Sequence, residues 1–445
     1  MPEITLPSRH GDWELSLPDH WQVQQVAEAS LRPAAADWPD RLARALNQPT
    51  SGQPLARLLE ARRRERIVLI VEDTTRHSPL PALLEPILRE IDHAGIDRAA
   101  VEVVFATGMH VPMTPERARE KLGEIAGQLP FRCNPWQDPS AYRSVGRVGK
   151  VPVEVDAGVL SAGLRIVVSS VSPHLQAGFG GGYKMFLPGC ASLETIRGLH
   201  RLGLPRHARQ LVGTAPDRNA MRRTIDAGGA LVDAACGRTF AVQYVLDADD
   251  QPTFLAAGEL VPTHRMTTKQ CAAACGIITP APADVVIANA HPRDTDLWQS
   301  FKGVANTCWA ARRNGAVICL ARCEHAMEGM TLPAWPLSPT WTRRVVRLLG
   351  PGALASLTTR VLPGLAEDAA FFVHMALQML HRNRILLVSP ALAAQPRRFP
   401  GLEVFAEPAA AIASAERELG PGPRRVIVFP AGGSTFPIAP GEARQ

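Results

Sequence analysis

Short, continuous apolar runs alternate along this chain with longer stretches in which apolar residues recur every three or four positions. IVLIVED (67–73), VEVVFATG (101–108) and RIVVSSV (165–171) read as buried strands, and PLPALLEPILREIDHAG (79–95) and TPERAREKLG (114–123) as helices. The second helix opens with Thr114 as N-cap, Pro115 at its first position and Glu116 in its first turn. From about residue 276 the pattern repeats, with DVVIANA (284–290), AVICLA (316–321), RILLVS (384–389) and RRVIVFP (424–430) as strands and helices between them. Such alternation predicts an α/β fold with largely parallel sheets, whose ligands sit beyond the carboxyl ends of the strands. A chain of 445 residues exceeds what one hydrophobic core usually holds. The pattern divides it into two α/β domains, 1–275 and 276–445, joined near the proline-rich TPAPAD (279–284), with the active site expected in the cleft between them. The stretch 201–275 reads as less regular.

Composition narrows the function classes. With 46% hydrophobic and 20% charged residues, the chain reads as globular, and no window approaches the roughly 18 uncharged apolar residues of a membrane span. The N-terminal text has neither the basic start nor the apolar run of a secretory signal, so a cytoplasmic address and no membrane partner are expected. The net charge of +6 is spread out, and its densest run, RRRER at 62–66, lacks interleaved aromatics. It reads as a solvated face, with no nucleic-acid partner expected. The 8 cysteines are scattered, which suits reduced, buried thiols. Among the 48 basic residues only Lys121, Lys150, Lys184, Lys269 and Lys302 are lysine. A retained lysine suggests need of a primary amine, which can lose its proton and act as a nucleophile where a guanidinium cannot.

Four segments carry candidate chemistry, each just after a predicted strand. EDTTRHSP (72–79) offers Asp73, the hydroxyls of Thr74 and Thr75, and Arg76 in one turn, suited to a phosphate or carboxylate and equally readable as a capping Asx turn. FATGMHVPMTPE (105–116) ends a strand in Gly108 and His110, an imidazole with the titration range for acid/base work or a hydrogen-bonded bystander. SPHLQAGFGGGYKMFLPGCASLETIRGLH (172–200) sets His174 at a strand end, glycines at 178 and 180–182 that admit a bulky ligand, Lys184, and His200 about two turns into a helix starting at Ser192. It is no Walker loop, because Met185 follows the lysine. In HPRDTDLWQSFKGVAN (291–306), Trp298, Gln299 and Lys302 lie together at a helix start, as carboxylate-binding groups or as part of a plain amphipathic helix.

Together these segments resemble the nickel-pincer lactate racemases and related 2-hydroxy acid racemases and epimerases. The match covers most of the chain and is most specific in S-P-H-x-x-A-G-F-x-G-G-x-K-x-x-x-P-G from Ser172 to Gly189, followed by His200. D-x-T-R falls at Asp73 to Arg76, the histidine loop at Gly108 to His110, and Q-x-x-K at Gln299 and Lys302. Two positions depart from the family pattern: His77 stands where proline usually follows the arginine, and Met109 interrupts a G-[TS]-H loop.

The resemblance implies a cofactor, the nickel complex of pyridinium-3,5-bisthiocarboxylic acid mononucleotide, covalently attached through a thioamide to Lys184. It implies His200 as nickel ligand, Asp73, Thr74, Thr75 and Arg76 at the nucleotide, and His110 and His174 as the paired acid/base groups. Arg76, Trp298, Gln299 and Lys302 become candidates for holding the substrate. The implied reaction inverts C2 of a small 2-hydroxy acid by reversible hydride transfer through a 2-keto acid, after loading by cofactor-synthesis proteins. Two other classes use part of the same residues. A Schiff-base enzyme would use Lys184 without metal and leave His200 unexplained; a non-catalytic carrier of the cofactor would need neither His110 nor His174.

Overall fold

A computed structural model describes residues 2–8, 11–110, 112–204, 208–327, 332, 337–361, 367–395 and 401–439. The chain forms two compact units: one built from 1–30, 204–212 and 275–445, the other from 31–203 and 213–274. The strand Trp21–Val26 (β1) belongs to the first and is taken up with it below.

The unit of 31–203 and 213–274 is organised on a six-stranded sheet. Its strands are Ile67–Val71 (β2), Val101–Phe105 (β3), Phe131–Cys133 (β4), Leu164–Ser170 (β5), Phe240–Leu246 (β8) and Pro252–Glu259 (β9), in the order β9-β8-β5-β2-β3-β4. All neighbours run parallel except β9, an edge strand antiparallel to β8. The labels β6 and β7 denote a short ribbon after β5, Pro173–His174 and Gly178–Phe179.

Alternation along the strands feeds two apolar cores, one on each face. Ile67, Leu69, Val71, Val103 and Phe105 face the helix Leu80–His93 (α1), whose Leu83, Leu84 and Ile87 are buried there. Val68, Ile70, Val104 and Val167 face the other way, against Phe186, Leu187 and the helices Leu193–Leu202 (α3) and Ala220–Cys236 (α4). Between β3 and β4 the helix Pro115–Leu122 (α2) starts as expected, the Thr114 side chain accepting the N–H of Arg117 at 3.3 Å.

The region 201–275 is more regular than its sequence suggests, holding α4, β8, β9 and the helix Leu260–Cys275 (α5). Two adjacent glycines inside α4 disguise it, since glycine disfavours helix interiors. They are there for packing: a Cβ on Gly229 would stand 2.1 Å from the Tyr183 ring and one on Gly228 2.5 Å from Leu187.

The other unit carries a second six-stranded sheet, all parallel, of Ala283–Asn289 (β10), Ala311–Leu320 (β11), Arg384–Val388 (β12), Glu403–Phe405 (β13), Arg424–Phe429 (β14) and β1. The order is β13-β12-β11-β10-β14-β1. The first thirty residues, grouped by sequence with 1–275, therefore join the later residues, β1 pairing along β14 from Trp21↔Arg424 to Val26↔Val428. Trp13, Leu15 and Trp21 are buried against this sheet, an attachment across four hundred residues that local patterning does not reveal.

The arginine-rich run 62–66 is exposed apart from partly covered Arg66, the eight cysteines are free, and six of them are buried. Among the described residues no helix is long and apolar enough to cross a membrane.

Candidate active site

β5, β2 and β3 lie side by side and parallel, so their carboxyl ends deliver three loops to one edge of the sheet. β2 leads into Asp73–Arg76, β3 into Gly108–His110, and β5 into the β6–β7 ribbon with His174. This is the position the sequence predicts for them.

The turn after β2 is an Asx turn. Asp73 Oδ1 accepts the Thr75 backbone N–H at 3.0 Å and the Thr75 hydroxyl at 2.5 Å. It caps no helix, because α1 begins at Leu80 with Pro79 as its N-cap. The second carboxylate oxygen, Oδ2, meets Nδ1 of His110 at 2.8 Å. A carboxylate only accepts, so Nδ1 carries the proton and the neutral ring of His110 keeps its lone pair on Nε2. Burial alone would raise the Asp73 carboxyl, but His110, Thr75 and Arg76 more than offset it and hold the group well below the ordinary carboxylate range. The His110 side chain is 47% exposed against 8% for Asp73, so a buried charge backs an accessible imidazole.

His174 is prepared differently. Its Nδ1 accepts from the backbone N–H groups of Gln176 at 3.3 Å and Ala177 at 3.1 Å, which puts the proton of the neutral ring on Nε2. The ribbon pair His174↔Gly178 fixes the backbone, and Gly178 at φ +78° has no room for a Cβ, which would stand 2.4 Å from the Thr214 carbonyl oxygen.

Lys184 follows Gly181 and Gly182, both in the left-handed region. Protein surrounds the side chain almost completely while it keeps some accessible surface, as on the floor of a hollow. No hydrogen-bond or ion-pair partner of its ammonium is found among the described residues. Burial first, then the charges of Arg76 and Arg222, push it down to about 7, against the pull of Asp73 and Glu72. At neutral pH a large fraction of Lys184 is therefore free amine.

His200 lies in the last turn of α3, whose N-cap Ser192 accepts the Thr195 N–H at 3.3 Å. Burial, with the charges of Lys184 and His110, lowers it to about 3, so the imidazole is neutral, the form that binds metals. These two causes also show that Lys184, His110 and His200 lie within electrostatic reach of one another. Among the described residues no group of three or more His, Cys, Asp or Glu could hold a metal ion. A metal at His200 would take further donors from a bound molecule.

The two departures from the family pattern have partners here. His77 Nδ1 lies 3.3 Å from Asp250 Oδ2, and Met109 packs on the apolar core beneath the sheet. Lys121 is a strut: its Nζ donates to the Arg76 carbonyl at 2.6 Å and the Ser78 carbonyl at 2.9 Å. Sequence reasoning also missed Glu72, buried below the turn and accepting from the hydroxyls of Ser78 (2.6 Å), Ser170 (2.6 Å) and Tyr244 (3.1 Å). Asn134 ties the histidine loop to the one after Lys184, donating to the carbonyls of Gly108 at 2.9 Å and Ala191 at 3.1 Å. A buried glutamate just before the Asx turn was the only local signal for any of them.

In the other unit, Gln299 and Lys302 sit in the first two turns of the helix Leu297–Thr307, N-capped by Asp296. The Lys302 ammonium donates to the Gln299 side-chain oxygen, so this pair is formed. Trp298 packs on Phe371 at 5.6 Å and Phe372 at 5.9 Å between ring centres, which makes its ring part of an aromatic cluster.

Comparison with known proteins finds similarity to lactate racemases in sequence and in fold. A domain described as the lactate racemase N-terminal domain matches residues 9–211. The chain is 26% identical over 352 residues to a lactate racemase of Thermoanaerobacterium thermosaccharolyticum, covering 75% of this chain and 78% of that protein. It is 26% identical over 307 residues to one of Lactiplantibacillus plantarum, covering 64% and 67%. The fold is similar to the lactate racemase apoprotein structure from T. thermosaccharolyticum, with TM-score 0.78 and 20% identity over 98% of this chain and all of that one. A Thermotoga maritima protein is similar at TM-score 0.64 and 16% identity, over 93% of this chain and 100% of that one.

Proposed function

We propose that the chain is a member of the lactate racemase family, an isomerase that inverts C2 of a small 2-hydroxy acid using a lysine-tethered nickel-pincer nucleotide. The observation that carries the proposal is Lys184, a deep amine with no hydrogen-bond or ion-pair partner found among the described residues and pushed down to about 7, near a neutral His200. Those two groups fit the cofactor: an amine able to form a thioamide, and an imidazole that adds nitrogen to a sulfur-rich nickel site. The Asp73–Arg76 turn would hold the nucleotide.

When bound, the nucleotide supplies an acceptor for hydride from C2. The protein's own part is proton transfer and positioning. His110 takes the hydroxyl proton at Nε2 while its Nδ1–H holds to Asp73, whose negative charge stabilises the imidazolium that forms. His174 offers Nε2–H to the oxygen of the opposite enantiomer, and the two rings exchange roles in the reverse direction. Arg76, Gln299 and Lys302 are the groups assigned to the carboxylate, and Trp298 to the side chain of the acid. Small 2-hydroxy acids and the cofactor-synthesis proteins are the partners, and the cytoplasm the site of action.

Co-expression with cofactor-synthesis proteins tests the reading. The wild type gains a covalent mass that Lys184→Arg lacks, because a guanidinium forms no thioamide, and His200→Ala keeps the mass but loses nickel faster to a chelator. The same adduct on the arginine variant would place the tether elsewhere. A nickel-free Schiff-base enzyme would instead give a mass trapped by borohydride, and a carrier would load fully yet invert none of a panel of enantiopure 2-hydroxy acids.

A further inference from the structure

Arg222 lies three residues into α4 and is wholly buried, yet its guanidinium is not spent on one carboxylate. It grips the backbone of the glycine loop: Nη1 donates to the Gly181 carbonyl at 3.1 Å, and Nη2 donates to the carbonyl of Phe179 and to that of Gly180 at 3.4 Å. The Gly180 carbonyl takes a second donor, Nε2–H of buried His264, at 2.8 Å. Gln243 Oε1 accepts the N–H of Gly182 at 2.8 Å. The fit leaves no spare room: a Cβ on Gly181 would stand 2.7 Å from Gln243 and one on Gly182 2.9 Å from His264. The nearest carboxylate, Asp226, is 3.8 Å from Arg222 and also paired with Arg265. Three carbonyls before Lys184 are thus held by a cation whose charge is felt by the lysine.

A buried guanidinium is a costly way to fix a loop, since backbone carbonyls do not neutralise it. Here the charge has a use. We propose that Arg222 is a positioning residue for Lys184, clamping the 179–181 carbonyls so that the loop presents a rigid amine with a fixed positive charge near it. This rests on the reading of Lys184 as the tether. In the attachment step the Nζ lone pair attacks the carbon of a thiocarboxylic acid, an N–C bond forms and the C–O bond breaks. One water is released, made of the departing hydroxyl and an amine proton, and nothing is oxidised or reduced. The charged groups facing Lys184 are Arg76 and Arg222 on one side of the balance, Asp73 and Glu72 on the other, with His200 held neutral nearby.

The test uses the full chain expressed without cofactor synthesis and N-hydroxysuccinimidyl acetate as probe, with acetylation read peptide by peptide by mass spectrometry from pH 6 to 9. The neutral amine attacks the ester carbonyl and N-hydroxysuccinimide leaves, so the rate at each lysine follows its free-amine fraction. Lys184 should reach half its plateau rate near pH 7, with exposed Lys150 as the internal reference for probe reactivity. Arg222→Met should raise the Lys184 midpoint by about one pH unit, cutting its rate at pH 7 roughly fivefold, while Lys150 is unchanged. Arg222→Lys keeps the charge without the fork, so the midpoint stays low and the plateau falls. A Lys184 rate with no midpoint near pH 7, still rising at pH 9, overturns the proposal in the wild type alone. So does an unchanged profile in folded Arg222→Met or, should that variant not fold, an unchanged plateau in Arg222→Lys. A cofactor mass found on another residue would instead sink the tether reading, whatever the acetylation profile.

Discussion

At the scale of single residues, the two histidines are not equivalent. His110 leans on a buried carboxylate held well below the ordinary range, and the Nδ1–H bond to it leaves the lone pair of the neutral ring on Nε2. Asp73→Asn preserves shape but lets an amide donate to Nδ1, which moves the ring proton to Nε2 and removes the base. We expect racemisation by Asp73→Asn, and by His110→Ala or His174→Ala, to fall about 10²-fold or more in both directions, with cofactor mass and nickel unchanged in the two histidine variants, measured by chiral chromatography. Near-normal rates in a fully loaded variant exclude that residue from proton transfer. These residues were legible because their types are chemically singular: one of five lysines, or a histidine in the loop at a strand end. Arg222, His264 and Gln243 were not. They carry ordinary side chains in a region that read as irregular, and only the approach of α4, β8 and α5 to a loop some forty to eighty residues earlier gives them a task.

At the scale of elements, the continuous apolar strands announced themselves because both faces of a parallel sheet are buried, whereas α4 was hidden by the glycines that let it dock. The same close approach makes α4 part of the site's scaffold: Gly229 lies under Tyr183, next to Lys184, and the Tyr183 hydroxyl bonds Asp233 one turn further along the helix at 2.6 Å. A methyl group at 229 must push the ring or the helix away. Gly229→Ala is therefore expected to destabilise the chain by about 1–3 kcal/mol despite alanine's better helix propensity, and to slow acetylation of Lys184. The control is Gly127→Ala, where a Cβ meets nothing within 4 Å and the expected change is within about 0.5 kcal/mol. Thermal unfolding of both variants decides; a stabilised Gly229→Ala would mean that the loop is not fitted to the helix.

At the scale of the whole molecule, the candidate groups divide by unit. The one built from 31–203 and 213–274 holds Lys184, His200, His110 and His174, the groups assigned to attachment, metal and proton transfer, while the other holds Trp298, Gln299 and Lys302. That division bears on the kind of inversion the chain performs. A racemase that removes C2–H as a proton needs bases aimed at carbon, and the proton it takes is shared with water through exchangeable side chains. Here both histidines are assigned to the substrate oxygen, which leaves the carbon-bound hydrogen to travel as hydride to a bound group and back. Hydride parked on carbon does not exchange with solvent on the time of a turnover, whereas imidazole protons do. Substrate deuterated at C2 and inverted in ordinary water by the loaded protein should therefore return product that keeps most of its deuterium, with a little 2-keto acid trapped by hydroxylamine. Washout of deuterium at the rate of inversion would mean that carbon is deprotonated, and would overturn the hydride assignment even in a protein carrying nickel on Lys184-tethered nucleotide.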